Sequence, residues 1–321
     1  VMAKFSRVMA LPHYSKGWHS STALGVLGAA VACGVLLDLS EAQLVNALGL
    51  AVSQAAGSRV NFGSMAKSFQ AGQCNAAAVR AALLAQKGFT ANANALDGKY
   101  GYMALYAANE DLTPALATLG EAPLEVERTG IDIKKYQCCY AIHRALDALF
   151  ALVQEHKLTV EQIERVHVTN SAGGLEALIR HLPTNGLEAK FSMEFCMATL
   201  LLYGKGGLTQ FTDEVVNRPE VQEMIKRIDF GVDPIAEAAG YNKMTTILEI
   251  KLKDGRMISG RADFGRGSPE QPMSFDDVAA KFEDCAQFAK WPAAKSKQVI
   301  ATVRKLEELT DIRRLTALLS A

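Results

Sequence analysis

Three places in this sequence carry residue types that can move a proton or hold a carboxylate. Lys67 stands in Gly63-Ser64-Met65-Ala66-Lys67, just ahead of a small-residue helix expected to begin near Ala71. An ammonium group beside a helix N-terminus favours an anion twice over, through its own charge and through the backbone NH groups of the first turn. The alternative for Lys67 is an ordinary surface lysine, since lysine is seldom buried. His19, in Gly17-Trp18-His19-Ser20, is of the type that exchanges a proton near neutral pH, and Tyr14 is close enough in sequence to share its site. A structural, hydrogen-bonding histidine is the alternative there. The third place is the run from Lys134 to His143, which holds Lys134, Lys135, Cys138, Cys139 and His143. Cys139 and His143 are four apart and would share one helical face, but thiol catalysis also needs an orienting group and an oxyanion pocket. The alternative for Cys138 and Cys139 is a pair of small buried hydrophobes.

The elements that must position these residues change character along the chain. Residues 1–10 read as a helix without a cap before it, so a natural start upstream of Val1 is an expectation. Residues 20–37 are almost wholly Ala, Val, Leu and Gly, so a helix there is apolar on nearly every side and belongs inside a bundle. Ser40 followed by Gln43 is a capping box that opens a helix through about Gln54, and Ala71 to Lys87 is a further helix closed by Gly88. From about Ile131 the texture turns to mixed α/β. Thr159 and Gln162 form another capping box, residues 164–169 alternate as a half-buried strand does, and residues 188–203 and 219–227 read as helices. Residues 245–253 and 256–262 flank Asp254-Gly255, the dipeptide of a type I′ hairpin turn. The tail from Ser274 is helical and is expected to rejoin the first bundle. The expected fold class is therefore mainly α with an α+β insertion: a helical domain from residues 1–130 and 267–321, and a smaller α/β lid from residues 131–266.

Composition closes off several functions. The 34 Lys and Arg balance 34 Asp and Glu, so no basic excess invites a phosphate backbone, and nucleic acid is not an expected partner. At 49% hydrophobic the chain can bury a core, which excludes disorder as its main description. Residues 23–37 reach Asp38 too early to cross a bilayer, so no membrane association is expected. The six cysteines make no C-x-x-C pair and are expected to be reduced thiols of a cytoplasmic protein. The glycines match neither a P-loop nor a dinucleotide fingerprint, the His and carboxylate spacings match no metal site, and Gly-x-Ser-x-Gly is absent. No cofactor and no metal are expected.

Taken together the strings resemble the MmgE/PrpD family. They are Gly17-Trp18-His19-Ser20, Asp38-Leu39-Ser40, residues 46–53, the Lys67 segment with Ala71-Gly72, and Lys87-Gly88-Phe89-Thr90. Further along they are residues 134–143, Glu188-Ala189-Lys190-Phe191-Ser192, Val216-Asn217-Arg218-Pro219, the Asp254-Gly255 hairpin and Lys281-Phe282. The likeness covers essentially the whole sequence. It implies a helical domain with an inserted α/β lid, a homodimer, and a metal-free, nucleotide-free enzyme acting on a small di- or tricarboxylate. The family includes 2-methylcitrate dehydratase, cis-aconitate decarboxylase and iminodisuccinate epimerase.

The resemblance implies catalytic roles for His19, Lys67 and Tyr14, and substrate binding by Lys134, Cys139 and His143. Removing a proton beside a carboxylate builds negative charge on a group already charged, so lysines aimed at those oxygens would stabilise the transition state. Two departures stand out. Family members carry a further helical segment ahead of the part matched here, with an Asp-rich motif and another cleft histidine. Where the decarboxylase has a cleft tyrosine after its Ser, this chain has Phe195, which disfavours that activity. The expected reaction is that of a hydro-lyase of the 2-methylcitrate dehydratase type. An epimerase, or an inactive shortened family member, is the alternative.

Overall fold

Small side chains and glycines let the helices of the N-terminal unit approach closely, and the computed structural model describes how they do so. It describes residues 1–107, 110–240 and 243–320, apart from the side chains of residues 10 and 11. The chain divides into two compact units, Val1–Gly130 and Ile131–Ala321.

In the first unit α1 is Met2–Ser15, α2 Ser20–Ala23, α3 Gly25–Leu36, α4 Glu41–Val52, α5 Met65–Gln86 and α6 Tyr102–Tyr106. The apolar run expected as one helix breaks at Leu24, so that α2 and α3 are separate. Helices α3, α4 and α5 pack on one another. A Cβ added to Gly28 would lie 2.9 Å from the Met2 Cβ, and one on Gly34 would lie 2.6 Å from Leu44 Cδ1. Glycine at position 28 is therefore a condition of the helix spacing, whereas at position 34 the tip of the Leu44 side chain would have to move. The capping box of α4 forms as expected: the Gln43 backbone NH donates to Ser40 Oγ at 3.3 Å, and the Ser40 NH donates to Gln43 Oε1 at 2.9 Å. Phe5, Met9, Leu24, Leu27, Tyr102 and the inner alanines of α5 fill the core.

In the second unit α7 is His143–His156, β1 Ile163–Asn170, α8 Met193–Tyr203, α9 Pro219–Ile225, β2 Ile228–Val232, β3 Thr246–Leu252 and β4 Met257–Ala262. Three helices follow, α10 Phe275–Phe288, α11 Ala293–Val303 and α12 Arg313–Leu319. The sheet order is β2-β1-β3-β4, with β1 parallel to β2 and antiparallel to β3. The hairpin expected around Asp254-Gly255 is β3–β4, with Gly255 at φ +89°. Buried Leu248, Ile250 and Leu252 on one face of β3 meet Ile142, Leu146, Leu149, Met193 and Met197 in a single core. Helix α10 packs on the turn Leu208–Gln210, Arg266 pairs with Asp277 at 2.7 Å, and Lys281 Nζ donates to the Lys134 carbonyl.

The fold class expected from the sequence, a mainly α chain with an all-helical domain and a smaller α/β lid, is corrected to mixed α/β. Helix makes up 55% of the structure beside a four-stranded mixed sheet. The unit that holds the sheet is the larger of the two. Strand β2 accounts for part of the discrepancy: Ile228-Asp229-Phe230-Gly231-Val232 alternates apolar and non-apolar residues but is only five residues long, and its partner β1 is remote in sequence.

Candidate active site

The segment around Gly57 runs beside residues 14–19 and ties them down. The His19 NH donates to the Gly57 carbonyl at 3.0 Å, Trp18 bridges Ser58, and the Arg59 NH donates to the Gly17 carbonyl at 2.9 Å. Arg59 Nη1 also donates to the Tyr14 carbonyl at 2.8 Å, and its guanidinium lies 4.1 Å from the centre of the Tyr14 ring. A cation over the ring face is attracted by the ring's electrons and so helps fix the position of the phenol. Gly57 has φ +117°, and a Cβ there would lie 2.1 Å from Thr22 Oγ1 and 3.2 Å from the His19 Cβ. No other residue fits that place.

His19 is 5% exposed and stands edge-on to the buried Phe62 ring, 5.1 Å between centres. Its Nδ1 is 2.8 Å from Gln70 Oε1. Gln70 Nε2 donates to the Ser58 carbonyl at 3.2 Å, so the amide oxygen is the end that faces His19. Nδ1 must then carry the proton, and in the neutral ring Nε2 keeps the lone pair of a base. Burial pulls the His19 pKa below the usual imidazole range; the Gln70 hydrogen bond works against this and the charge of Lys67 adds to it. The imidazole is therefore neutral at pH 7.

Lys67 lies in the first turn of α5, not in a loop ahead of it, because the helix starts at Met65 rather than near Ala71. It is half-buried, and its Nζ is 5.3 Å from the centre of the Phe62 ring. Phe62 thus has the imidazole of His19 and the ammonium of Lys67 both near its ring. The first turn of α5 contains no acid and no side-chain cap among the described residues, so the charge of Lys67 adds to the positive end of the helix dipole.

The sequence reading missed Gln70 and His13. His13 is fully buried, stacked on Trp18 at 6.0 Å, with Nδ1 3.2 Å from the Tyr106 carbonyl. Burial lowers its pKa, the Tyr106 bond opposes this, and Lys16 adds to the lowering. A histidine and a glutamine six and fifty-one residues from His19 offer no local spacing signal; only the fold brings them in.

The remaining candidates belong to the second unit. Lys134 is exposed, with Nζ 3.4 Å from the Cys138 carbonyl. Cys139 is half-buried in extended backbone ahead of the short turn Tyr140–Ile142, and His143 begins α7. Cys139 and His143 therefore do not share a helical face, which corrects the spacing argument. His143 is fully buried, with the Tyr136 and Tyr140 rings 5.3 and 5.1 Å away. The thiol beside it is Cys138. Burial raises that thiol, but the neighbouring Cys196 thiol, the His143 ring and the charge of Lys134 outweigh burial and hold it below the usual thiol range. Phe195 is fully buried against Phe211 and carries no hydroxyl. Among the described residues no cluster of three or more His, Cys, Asp or Glu could hold a metal ion, and no helix is long and apolar enough to cross a membrane.

With this geometry in view, comparison with known proteins gives a consistent answer. Residues 1–115 match the MmgE/PrpD N-terminal domain and residues 136–308 the MmgE/PrpD C-terminal domain. The chain belongs to the MmgE/PrpD family. It is 27% identical over 312 residues to human cis-aconitate decarboxylase and 29% identical over 314 residues to the mouse protein of that name. An Aspergillus terreus cis-aconitate decarboxylase is 25% identical over 324 residues. Each match covers 95% of this chain but only 63%, 62% and 65% of the relative. The chain thus spans less than two thirds of the length of these relatives.

Proposed function

We propose that this chain acts as a lyase on a small polycarboxylate, removing a proton beside a carboxylate and expelling water in the manner of 2-methylcitrate dehydratase. The observation that carries this reading is the His19–Gln70–Lys67 arrangement: a buried neutral imidazole held in one tautomer, with an ammonium group close enough to influence it. His19 Nε2 takes the proton from carbon. Lys67 and the first turn of α5 bind the carboxylate on which negative charge builds. The electron pair left on carbon forms the double bond as the C–O bond breaks, and the departing hydroxyl leaves as water on receiving a proton, for which Tyr14 beneath Arg59 is the candidate donor. For Lys134, Cys139 and His143 the proposed role stays substrate binding, and for the assembly a cytoplasmic homodimer.

Decarboxylation of cis-aconitate is the second reading, favoured by the names of the relatives and opposed by Phe195, which offers no hydroxyl. Incubation with 2-methylcitrate and with cis-aconitate distinguishes them. New ultraviolet absorbance from an unsaturated product of the first supports dehydration, and carbon dioxide released from the second supports decarboxylation. Solvent deuterium entering a dicarboxylate without a new double bond supports an epimerase. Lys67→Ala and His19→Gln are each expected to lower kcat/KM by about 10²–10³ with the active substrate. Full activity in either variant rules out the assigned roles, and absence of turnover and of thermal stabilisation by every acid supports the inactive alternative.

A further inference from the structure

The second unit holds an open cavity of about 290 Å³ that the reaction proposed above does not use. It lies where α7, α8 and α10 meet residues 135–137 and the loop Gly204-Lys205-Gly206-Gly207. Its size is at the lower end of the range for small-molecule sites. Phe150 of α7, Leu200 of α8 and the Tyr136 ring give it an apolar wall, and three lysines line it as well: Lys135, Lys205 and Lys281.

The three ammonium groups are differently placed. Lys135 is matched by an acid, its Nζ 3.2 Å from Asp147 Oδ1, and lies 4.8 and 5.5 Å from the centres of the Tyr136 and Phe150 rings. Lys281 is half-buried and donates to a neutral partner, the Lys134 carbonyl. Burial pushes its pKa down; the nearby Cys285 works against this and the charge of Lys134 adds to it. An ammonium group withdrawn from water without a counter-ion is costly, and an anion in the cavity would offset that cost. Lys205 is exposed on the loop that follows Gly204, which takes φ +68° to end α8. Among the described residues neither Lys205 nor Lys281 has a carboxylate within ion-pair distance, and this includes Asp284, the acid of the lining, one turn on from Lys281.

We propose that this cavity is a second anion site and that its ligand is a phosphate monoester with a small apolar body. A phosphate monoester carries roughly two negative charges at neutral pH, which suits two ammonium groups left without an acid. Lysine binds phosphate as a point charge, whereas a planar carboxylate is better met by the fork of arginine, and no arginine lines the cavity. The rings of Tyr136 and Phe150 and the Leu200 side chain receive the carbon body of the ester. The site uses neither His19 nor Lys67 and does not depend on which reaction the protein catalyses.

The test is calorimetric titration of the full chain with phenyl phosphate, and with benzoate, which has the same ring but a single planar charge. Phenyl phosphate is expected to bind at one site and benzoate to bind about tenfold more weakly or not at all. Lys205→Ala, at an exposed position the fold does not need, and Lys281→Gln, which keeps an N–H donor, are each expected to weaken phenyl phosphate by about tenfold. Gly206 lies outside the left-handed region, and a Cβ there would meet Tyr136 Cδ1 at an ordinary 3.8 Å. Gly206→Leu therefore fills the cavity without altering its charge, and is expected to abolish binding with an unchanged circular dichroism spectrum. Lys67→Ala is expected to leave binding intact. A wild-type chain that does not bind phenyl phosphate, or binding that survives Gly206→Leu and is lost in Lys67→Ala, overturns the site. Equal binding of benzoate overturns the phosphate class.

Discussion

His13 and His19 sit in surroundings that disfavour the imidazolium, and this has a consequence for stability as well as for proton transfer. In both cases burial is the main cause, and the folded pKa lies below the unfolded value of 6.5. Between those two values the unfolded chain binds a proton that the folded chain refuses, so stability rises with pH there. The contribution is complete above about pH 6.5 and drains away as pH falls through the folded pKa of each ring. The melting temperature is therefore expected to drop between pH 7.5 and 5.5, and a His19→Gln variant is expected to lose less over the same interval; equal losses in the two proteins would exclude His19 as a source. These residues also mark how far the sequence could be read. His19 and Lys67 were nameable because their types suit the chemistry. Gln70 was not, because its value comes from an amide held between Ser58 and His19, residues brought to it only by folding.

Helix ends and turns obey local rules, and there the sequence and the structure agree closely. The Ser40–Gln43 box is written in four residues and forms as written. Ser40→Ala removes the acceptor for the Gln43 NH and is expected to cost about 1 kcal/mol in urea unfolding, whereas Ser40→Asp should retain most of the stability. The β3–β4 hairpin was legible for the same reason, since Asp254-Gly255 sets its register from within. Strand β2 and the start of α5 were not. Residues 228–232 carry an alternating pattern too short to stand out and pair along the edge of β1, and α5 begins at Met65 without a side-chain cap to announce it. Elements fixed by long-range pairing leave little trace in a local pattern.

At the scale of the whole molecule, the described residues build two separate apolar cores, one in each unit. Leu149 is fully buried in the second. Leu149→Ala is expected to cost about 2–5 kcal/mol there. In hydrogen exchange the amides of β1, β3 and α7 should lose protection in this variant, while those of α3, α4 and α5 keep theirs; equal loss in both sets would mean one cooperative block. The misjudged fold class belongs to this scale too, since no single segment reveals that the sheet-bearing unit outweighs the helical one. The division of the chain also orders events on the ribosome. Among the described residues the hydrogen bonds of His19 run to Gly57, Thr22, Ala23 and Gln70, so they can form while later codons await translation. Strand β1 must wait for residues 246–252 before its antiparallel edge is filled. The first unit can thus be complete at a time when the emerging strand still presents an open edge, and that interval is when the nascent protein has most need of a chaperone.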